Sequence, residues 1–216
     1  MSTHVYLLRH AETATPDVFH GFESDVGLSV RGEQQAEVVA AELAGLRIDG
    51  LVSSGMLRAR LTAATISRIT GLPIRVELDL HERKVGDLQG TPVAGASGVW
   101  PDTLRRWVAG ETSFAPPGAE SFDTMQARLL PIWDRITREF MGESVAIVAH
   151  GIAIRVVLLS VLEGYNVADW DRLGRIANAS ISELSGAGRT WTAARVGDVS
   201  AGIRKLNEAE ELRPPG

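Results

Sequence analysis

Short apolar runs alternate along this chain with longer segments in which apolar residues recur every three or four positions. Four runs have the composition of buried strands, namely Val5–Leu8, Gly50–Val52, Ile74–Val76 and Val145–Val148. The longer segments each carry one apolar stripe, as surface helices do, at Gly32–Leu46, Leu57–Thr70, Phe122–Met141 and Ile152–Leu162. Because strands and helices alternate, the pattern predicts an α/β fold, a three-layer α/β/α sandwich around a mainly parallel sheet.

The end of the chain follows a different pattern. Ala179–Leu184 and Trp191–Val196 are typical of two strands joined by a turn at Ser185–Arg189, a hairpin that would make one strand antiparallel. From Lys205 onward the sequence is charged and closes with two prolines and a glycine. We therefore expect a loosely held tail.

The length of 216 residues favours a single domain that spans residues 1–216. Residues 88–119 are the least regular part, because glycine, proline and alanine are frequent there and only Pro101–Val108 has the pattern of a short helix. We interpret this segment as an insert that flanks the functional site rather than as a domain of its own.

Composition and charge exclude several classes of site. The chain has no cysteine, which rules out disulfides, thiolate metal centres and a cysteine nucleophile. Its net charge of −5 argues against a nucleic-acid partner, because such proteins are usually basic. The apolar run before Arg9 is shorter than the roughly 7–15 residues of a signal-peptide core, so we expect a cytoplasmic protein with no membrane partner.

Basic residues follow three of the predicted strands. Arg9 and His10 come after the first strand, Arg58 follows the second, and His150 and Gly151 follow the fourth. In an open α/β sheet, ligands bind beyond the carboxyl ends of the strands, so we expect these side chains to meet. Arginine forks pair with phosphate oxygens, and an unprotonated histidine can attack phosphorus. The set therefore indicates a site for a phosphate group.

The position of Arg58 in its helix supports this interpretation. We expect Ser54 to cap the helix that begins near Leu57, which places Arg58 in or near the first turn. A cation there opposes the helix dipole, at a cost of about 0.3–1 kcal/mol. An anionic ligand at that end of the helix would offset this cost.

Reaction at a phosphate ester also needs a proton donor for the leaving oxygen. Three carboxylates follow the third predicted strand, Glu77, Asp79 and Glu82, and spacing alone does not choose among them.

Taken in order, these residues resemble the motifs of the histidine phosphatase superfamily, also called the phosphoglycerate mutase-like family. Leu7–Thr13 resembles the Arg-His-Gly-Glu signature, with Ala11 in place of the glycine. Further segments resemble the later motifs, at Leu28–Ala36, Ser53–Ala63, Glu82–Gly90, Pro117–Ser121 and Val148–Gly151, with weaker ones at Asn178–Ser180 and Leu206–Asn207. The resemblance covers nearly the whole chain and implies a phosphoglycerate mutase-like fold and a metal-independent hydrolase.

The resemblance also assigns roles. It implies that His10 is the nucleophile that becomes phosphohistidine, and that Arg9, Arg58 and His150 hold the phosphoryl group. Glu82 would protonate the leaving group and then help to activate water, and for the first task it must hold a proton. The resemblance implies neither a cofactor nor a metal ion, because arginines supply the positive charge.

Several further residues are candidates for binding substrate. Gly151 adjoins His150, His20 lies in a glycine-containing loop, and Glu12 either orients the arginines or is a surface acid. Trp100 and Trp107 lie in the insert, where they either select the group beyond the phosphate or pack the insert onto the core.

Departures from the mutases favour a phosphatase that acts on small phosphorylated metabolites. Ile152 and Pro16 stand where mutases commonly have asparagine, and the Arg-Arg-Ser-Tyr segment that grips the substrate's other charged end has no counterpart here. The alternatives are a cofactor-dependent phosphoglycerate mutase, a phosphatase of phosphohistidine or phosphotyrosine in proteins, and a non-catalytic phospho-ligand or protein-binding module. A homodimer is compatible with the sequence.

Overall fold

A six-stranded sheet forms the middle layer of the computed structural model, which describes residues 2–93, 98–188 and 190–211. The strands are β1 (Thr3–Arg9), β2 (Gly50–Ser54), β3 (Ile74–Glu77), β4 (Ser144–Ala149), β5 (Ile181–Ala187) and β6 (Thr190–Asp198). They lie in the order β3-β2-β4-β1-β5-β6. The first four pair in parallel, β5 pairs antiparallel with β1, and β6 pairs antiparallel with β5. The predicted fold class, with its antiparallel strand, is confirmed.

Helices cover both faces of the sheet. They are α1 (Val30–Ala44), α2 (Leu57–Thr70), α3 (Val99–Val108), α4 (Phe122–Glu139), α5 (Gly151–Val161) and α6 (Ala201–Glu211). Along β1, Val5 and Leu7 pack into the core beneath α3, α4 and α5, whereas Tyr6 and Leu8 pack into the core beneath α1, α2 and α6. This alternation is what a strand buried on both faces requires. No helix among the described residues is long and apolar enough to span a membrane.

Parallel pairing brings the carboxyl ends of three strands to one edge of the sheet. Arg9 at the end of β1 is in register with Ala149 of β4, and Ser53 of β2 is in register with Val148. His10 and His150, the next residues of β1 and β4, therefore lie at the same level, and Ser54 lies one residue before that level, beside Ala149. The sheet thus places these three residues together although they are far apart in sequence.

The predicted hairpin exists, but its turn is tighter than the sequence suggested. Strand β5 continues through Ser185–Ala187 of the predicted turn, with Gly186 paired to Trp191 and Ala187 paired to Thr190 at the start of β6. The ladder extends this far because Gly188, with a φ of +58°, takes up the left-handed conformation of a tight turn. Arg189 lies outside the described residues.

The expectation of a loosely held tail from Lys205 is wrong for the part that the structure describes. This part belongs to α6, which packs Ile203, fully buried, into the core shared with α1 and α2. Asn207 accepts a hydrogen bond of 3.1 Å from the Gln35 side chain. These two contacts dock α6 on the core, and residues 212–216 lie outside the described part.

The insert at 88–119 contains α3, which begins two residues before the predicted short helix. Trp107 is fully buried and packs edge-on against Phe122. Of the two interpretations of Trp107, substrate selection and packing of the insert onto the core, these contacts support packing. Residues 94–97 of the insert lie outside the described residues.

Candidate active site

A cavity of about 580 Å³ opens at the carboxyl edge of the parallel strands. The predicted residues Arg9, His10, Arg58, Glu82 and Gly151 line it. His150 lies behind this wall, fully buried, with its ring centroid 5.1 Å from that of His10. Arg9, His10, Arg58, Glu82 and His150 are called the central cluster below.

His10 is held by a hydrogen bond at one of its two ring nitrogens. Its Nδ1 lies 2.7 Å from the carbonyl oxygen of Ala11. Because a carbonyl oxygen can only accept, Nδ1 carries the proton and Nε2 keeps its lone pair. Burial, followed by the charges of Arg58 and Arg9, lowers the pKa of His10 well below its usual value. The imidazole is therefore neutral near pH 7.

In His150, Nε2 is bonded within the chain, which leaves Nδ1 as a free donor. Its Nε2 lies 2.8 Å from the hydroxyl of Ser54, which itself accepts from the backbone N–H of Met56. The hydroxyl proton is therefore available to Nε2, which leaves the imidazole proton on Nδ1. Nδ1 is buried and has no hydrogen-bond partner in the described part of the chain. Burial and then Arg58 lower the pKa of His150 well below its usual value.

This contact corrects the expectation that Ser54 caps α2. The N-cap of α2 is Met56, which makes no side-chain cap. Ser54 is the last residue of β2, and its side chain is committed to the neighbouring strand end, where His150 begins α5.

Arg9 and Arg58 are tied to backbone carbonyls but keep free donors. Arg9 donates from Nη1 to Ile176 (2.8 Å), and Arg58 donates from Nη1 to Ser24 (3.0 Å). The Nε atom of each is buried without a partner among the described residues. Burial lowers the pKa of Arg9 to about 10 and also lowers that of Arg58, so both stay charged at neutral pH. Free donors on buried cations are suited to an anion.

A carboxylate of the chain itself binds the start of α2. The carboxylate of Asp25 accepts from the backbone N–H of Leu57, the first helical residue. This carboxylate, rather than a ligand, offsets the cation in the first turn. Arg58 instead contributes to the cavity through its guanidinium, only 1% of the residue being exposed.

Of the three carboxylates that the sequence left open, only Glu82 lines the cavity. Glu77 pairs with Arg75 and Arg135, and Asp79 is exposed. The carboxylate of Glu82 accepts three backbone N–H groups, those of Arg83 (2.9 Å), Ile152 (3.1 Å) and Ala153 (3.1 Å). The last two belong to the first turn of α5, whose dipole stabilises negative charge.

The remaining predicted residues line the cavity while being bonded within the chain. Glu12 is paired with Arg31 and accepts from the Ser29 hydroxyl at 2.7 Å. Both ring nitrogens of His20 bond inside its own loop, at 2.8 Å to Thr15 and 2.9 Å to Ser24. These contacts give both side chains a supporting role in the cavity wall.

Gly151 lies beside Arg9 at the start of α5. A Cβ atom built at this glycine would lie 3.4 Å from Nε of Arg9 and 3.5 Å from its Cζ. These are ordinary van der Waals distances, so Gly151 contributes to the cavity wall in contact with the arginine.

The structure also brings in residues that the sequence analysis did not single out. Asn178 donates from its amide to the backbone oxygen of His10 (3.1 Å), and Ala179, with a φ of +53°, donates from its N–H to the same oxygen. The weak Asn178–Ser180 motif was the only sequence signal for this support. Arg83, Arg155 and Arg175 line the cavity too, and no motif pointed to them.

The cavity wall is strongly basic. Six arginines and three carboxylates line it, although the net charge of the chain is −5. Trp100 also lies in this wall, whereas Trp107 does not. Among the described residues, no three His, Asp or Glu side chains converge as a metal-binding group.

The order and spacing of these residues agree with a known family. A model of the histidine phosphatase superfamily (branch 1) matches residues 5–199. The chain belongs to this superfamily. Among this histidine phosphatase's relatives is the glucosyl-3-phosphoglycerate phosphatase of Mycobacterium tuberculosis, 36% identical over 171 residues that cover 75% of each chain. The metal-independent phosphoserine phosphatase of Arabidopsis thaliana is 29% identical over 204 residues, 92% of this chain and 82% of that one.

Solved structures extend the likeness to three dimensions. The complex of mycobacterial glucosyl-3-phosphoglycerate phosphatase with VO3 superposes with a TM-score of 0.80 at 30% identity, over 91% of this chain and 99% of that one. The chain spans about half (50%) of the length of an uncharacterised protein of Mycobacterium bovis and a bifunctional protein of Mycobacterium tuberculosis, each 33% identical over 184 residues, 84% of this chain.

Proposed function

We propose that this histidine phosphatase hydrolyses phosphomonoesters of small metabolites through a phosphohistidine intermediate on His10. The hydrogen bond from Nδ1 of His10 to Ala11 carries the proposal, because it leaves the Nε2 lone pair free. The neutral ring beside two cations is a nucleophile next to an anion site.

In the first step, Nε2 of His10 attacks phosphorus and the bond from phosphorus to the ester oxygen breaks. The departing oxygen takes a proton from Glu82. Charge on the equatorial oxygens is stabilised by Arg9, Arg58 and the Nδ1–H of His150. Each of these residues has a buried ring or guanidinium nitrogen without a partner among the described residues, and in the proposal phosphate oxygens accept from these donors.

In the second step, water attacks phosphorus and the bond to Nε2 breaks. Glu82, now a carboxylate, takes the proton from the water. Inorganic phosphate forms and leaves, and His10 returns to its neutral state. One carboxyl group thus serves as acid and then as base.

Three backbone N–H donors hold the carboxyl group of Glu82 in the cavity wall. This anchoring fixes its oxygens beside the place proposed for the phosphate. In the proposed mechanism the protonated group gives its proton to the ester oxygen, and the carboxylate then accepts a proton from water.

The same proposal extends to the organisation of the chain. Residues 1–216 form one histidine phosphatase domain, and the 88–119 insert flanks the site, since Leu88, Val93 and Trp100 line the cavity. The phosphorylated metabolite is the partner. A cytoplasmic location, the absence of a nucleic-acid partner and a possible homodimer stay predictions from the sequence.

The test is hydrolysis of p-nitrophenyl phosphate and a panel of metabolite phosphates in the presence of EDTA. Wild type is compared with His10→Ala and with His4→Ala, whose histidine is exposed on β1 outside the cavity. Release of phosphate by wild type and His4→Ala, and not by His10→Ala, supports the proposal. Transfer of the substrate's phosphoryl group to the protein is measured as well. A phosphoryl label that is stable in base and labile in acid identifies phosphohistidine.

Two results would overturn the proposal. Isomerisation of 3-phosphoglycerate that requires added bisphosphoglycerate, without hydrolysis, would indicate a mutase. Binding of phosphate esters without turnover of any substrate would indicate a non-catalytic module.

A further inference from the structure

Beyond the central cluster, the cavity is lined by a second set of arginines. Arg83 follows β3, Arg155 lies in α5, and Arg175 lies in the loop between α5 and β5. These residues are called the second arginine set. A volume of about 580 Å³ is far more than one phosphate group fills, and it lies within the usual range of pockets for larger ligands.

Arg83 is a buried cation with a vacant donor. Only 1% of the residue is exposed, and its Nε donates to the backbone oxygen of Glu120 at 2.8 Å. Its guanidinium lies 5.0 Å from the ring centroids of both Trp100 and Trp107. Nη2 is buried without a partner in the described part of the chain. Leaving such a group unsatisfied is costly, so this N–H points to an acceptor that a ligand brings.

Arg155 and Arg175 come from neighbouring segments. Arg155 donates to the backbone oxygens of Trp170 (2.7 Å) and Gly174 and lies over the Trp170 ring, which fixes the segment that precedes Arg175. The next residue, Ile176, accepts the hydrogen bond of Arg9. Arg175 therefore lies close to the central cluster. Its side chain makes no hydrogen bond or ion pair within residues 2–93, 98–188 and 190–211.

The carboxylates in the cavity wall do not balance this charge. Glu12 is paired with Arg31, and Glu82 is held by the start of α5. Asp17 is exposed in the loop after β1 and has no ion pair within the described ranges. The second arginine set thus leaves an excess of positive charge beside the phosphate site, which an anionic group of the ligand would offset.

We propose that Arg83, Arg155 and Arg175 form a second anion subsite, so that the preferred substrate carries a carboxylate or a second phosphate beside its phosphomonoester. This inference rests on the proposed function. Guanidinium groups pair with either anion through the same charge-assisted hydrogen bonds. The Arg-Arg-Ser-Tyr segment with which mutases bind the substrate's second charged group has no counterpart in this chain. In the proposed subsite, arginines at other positions bind such a group.

Matched substrates test the subsite. Phosphoserine is compared with phosphoethanolamine, and 3-phosphoglycerate with glycerol 3-phosphate, since the second member of each pair lacks the carboxylate. Fructose 1,6-bisphosphate against fructose 6-phosphate examines a second phosphate. We expect kcat/KM to favour the more anionic member of at least one pair by about tenfold or more. The pair that shows the preference identifies the anion.

Variants connect the preference to the arginines. Arg175→Gln should reduce the preference by about tenfold, mainly through KM, because charged hydrogen bonds contribute a factor of this order. Arg83→Lys should reduce it too, although this buried position also tests folding. Arg172→Gln is the matched control, since Arg172 is exposed in the same segment, outside the cavity, and loses the same charge.

Two outcomes would overturn the subsite. One is equal kcat/KM for both members of every pair in the wild type. The other is a preference that survives both Arg175→Gln and Arg83→Lys. Calorimetric titration of His10→Ala with the same pairs measures the preference without turnover. If the wild type hydrolyses no substrate but His10→Ala still binds the more anionic member of a pair more tightly, the proposed function alone is contradicted. If His10→Ala binds both members of every pair equally, the subsite is contradicted.

Discussion

Ser54 ends β2 and His150 directly follows the adjacent strand β4, and the serine hydroxyl lies 2.8 Å from Nε2 of the imidazole. The contact sets which ring nitrogen carries the proton, because Nε2 is left as the acceptor and Nδ1 as the donor. Ser54 is thus a positioning residue that acts through His150. Neither role is visible in the local sequence, where Ser54 has the features of a helix cap.

Removing this hydroxyl should weaken catalysis. Ser54→Ala leaves Nε2 of His150 without a partner, which should lower kcat about tenfold and destabilise the fold by about 1–3 kcal/mol. Steady-state kinetics and urea unfolding measure the two effects. Ser53→Ala is the control, because that hydroxyl donates to the backbone oxygen of Ser54 and lies outside the contact with His150. Ser54→Thr, which keeps a hydroxyl, should recover most of kcat, and a failure of this rescue would contradict the positioning role.

The buried histidines should make stability depend on pH. The pKa values of His10, His81 and His150 are lowered on folding, chiefly by burial. Below the ordinary histidine pKa near 6.5, the unfolded chain therefore binds protons that the folded chain does not. The free energy of unfolding should fall with decreasing pH by up to about 1.4 kcal/mol per pH unit for each such group.

Urea unfolding between pH 7.5 and 5.5 measures this dependence. His150→Gln should lose less stability than wild type as the pH falls, because one buried histidine fewer has to be kept neutral. His4→Gln, at an exposed position, should lose as much stability as wild type. An identical loss in His150→Gln and wild type would show that His150 is not held neutral by the fold.

The role of Glu82 predicts a dependence on the leaving group. Glu82→Gln should lower kcat/KM for an alkyl phosphate by about 10²–10⁴, because the alkoxide needs a proton. The loss should be much smaller for p-nitrophenyl phosphate, whose phenolate leaves without one. Glu77→Gln, which alters a carboxylate outside the cavity, is the control. Equal losses on both substrates would mean that Glu82 is not the proton donor.

The contact between Gly32 and Glu12 predicts a steric defect. A Cβ atom at Gly32, in the first turn of α1, would lie 2.1 Å from the backbone oxygen of Glu12. Gly32→Ala should therefore displace the loop that carries Glu12, at a cost of about 1–3 kcal/mol. At Gly27 the nearest atom is 3.7 Å away, so Gly27→Ala should be close to neutral. Thermal unfolding compares them, and equal stability of the two variants would contradict the clash.

Docking of α6 through Ile203 predicts that this buried side chain contributes to stability. Ile203→Ala should reduce the free energy of unfolding by about 2–5 kcal/mol, as is usual for a fully buried aliphatic side chain. Lys205→Ala, at an exposed position of the same helix, should change it little. If both variants match wild type in urea unfolding, the end of the chain contributes nothing to the fold.

The sequence determined the layers of the fold and most of the central cluster. Strands buried on both faces need continuous apolar runs, and helices on the surface need an apolar stripe. Both patterns can be recognised within a short segment of the sequence. Arg9, His10, Arg58 and His150 follow directly from the rule that parallel strand ends meet. Spacing also brought Glu82 into consideration, but it did not separate Glu82 from Glu77 and Asp79.

Tertiary structure decided what depends on contacts between distant segments. Of the three carboxylates, Glu82 is the one that binds the start of α5. Ser54 bonds His150 rather than capping α2, and the buried side chain of Ile203 packs α6 on the core. The second arginine set comes from positions 83, 155 and 175, whose side chains share a cavity only after folding. A sequence records local propensity, but the burial, partner and charge of a side chain are properties of its three-dimensional neighbours.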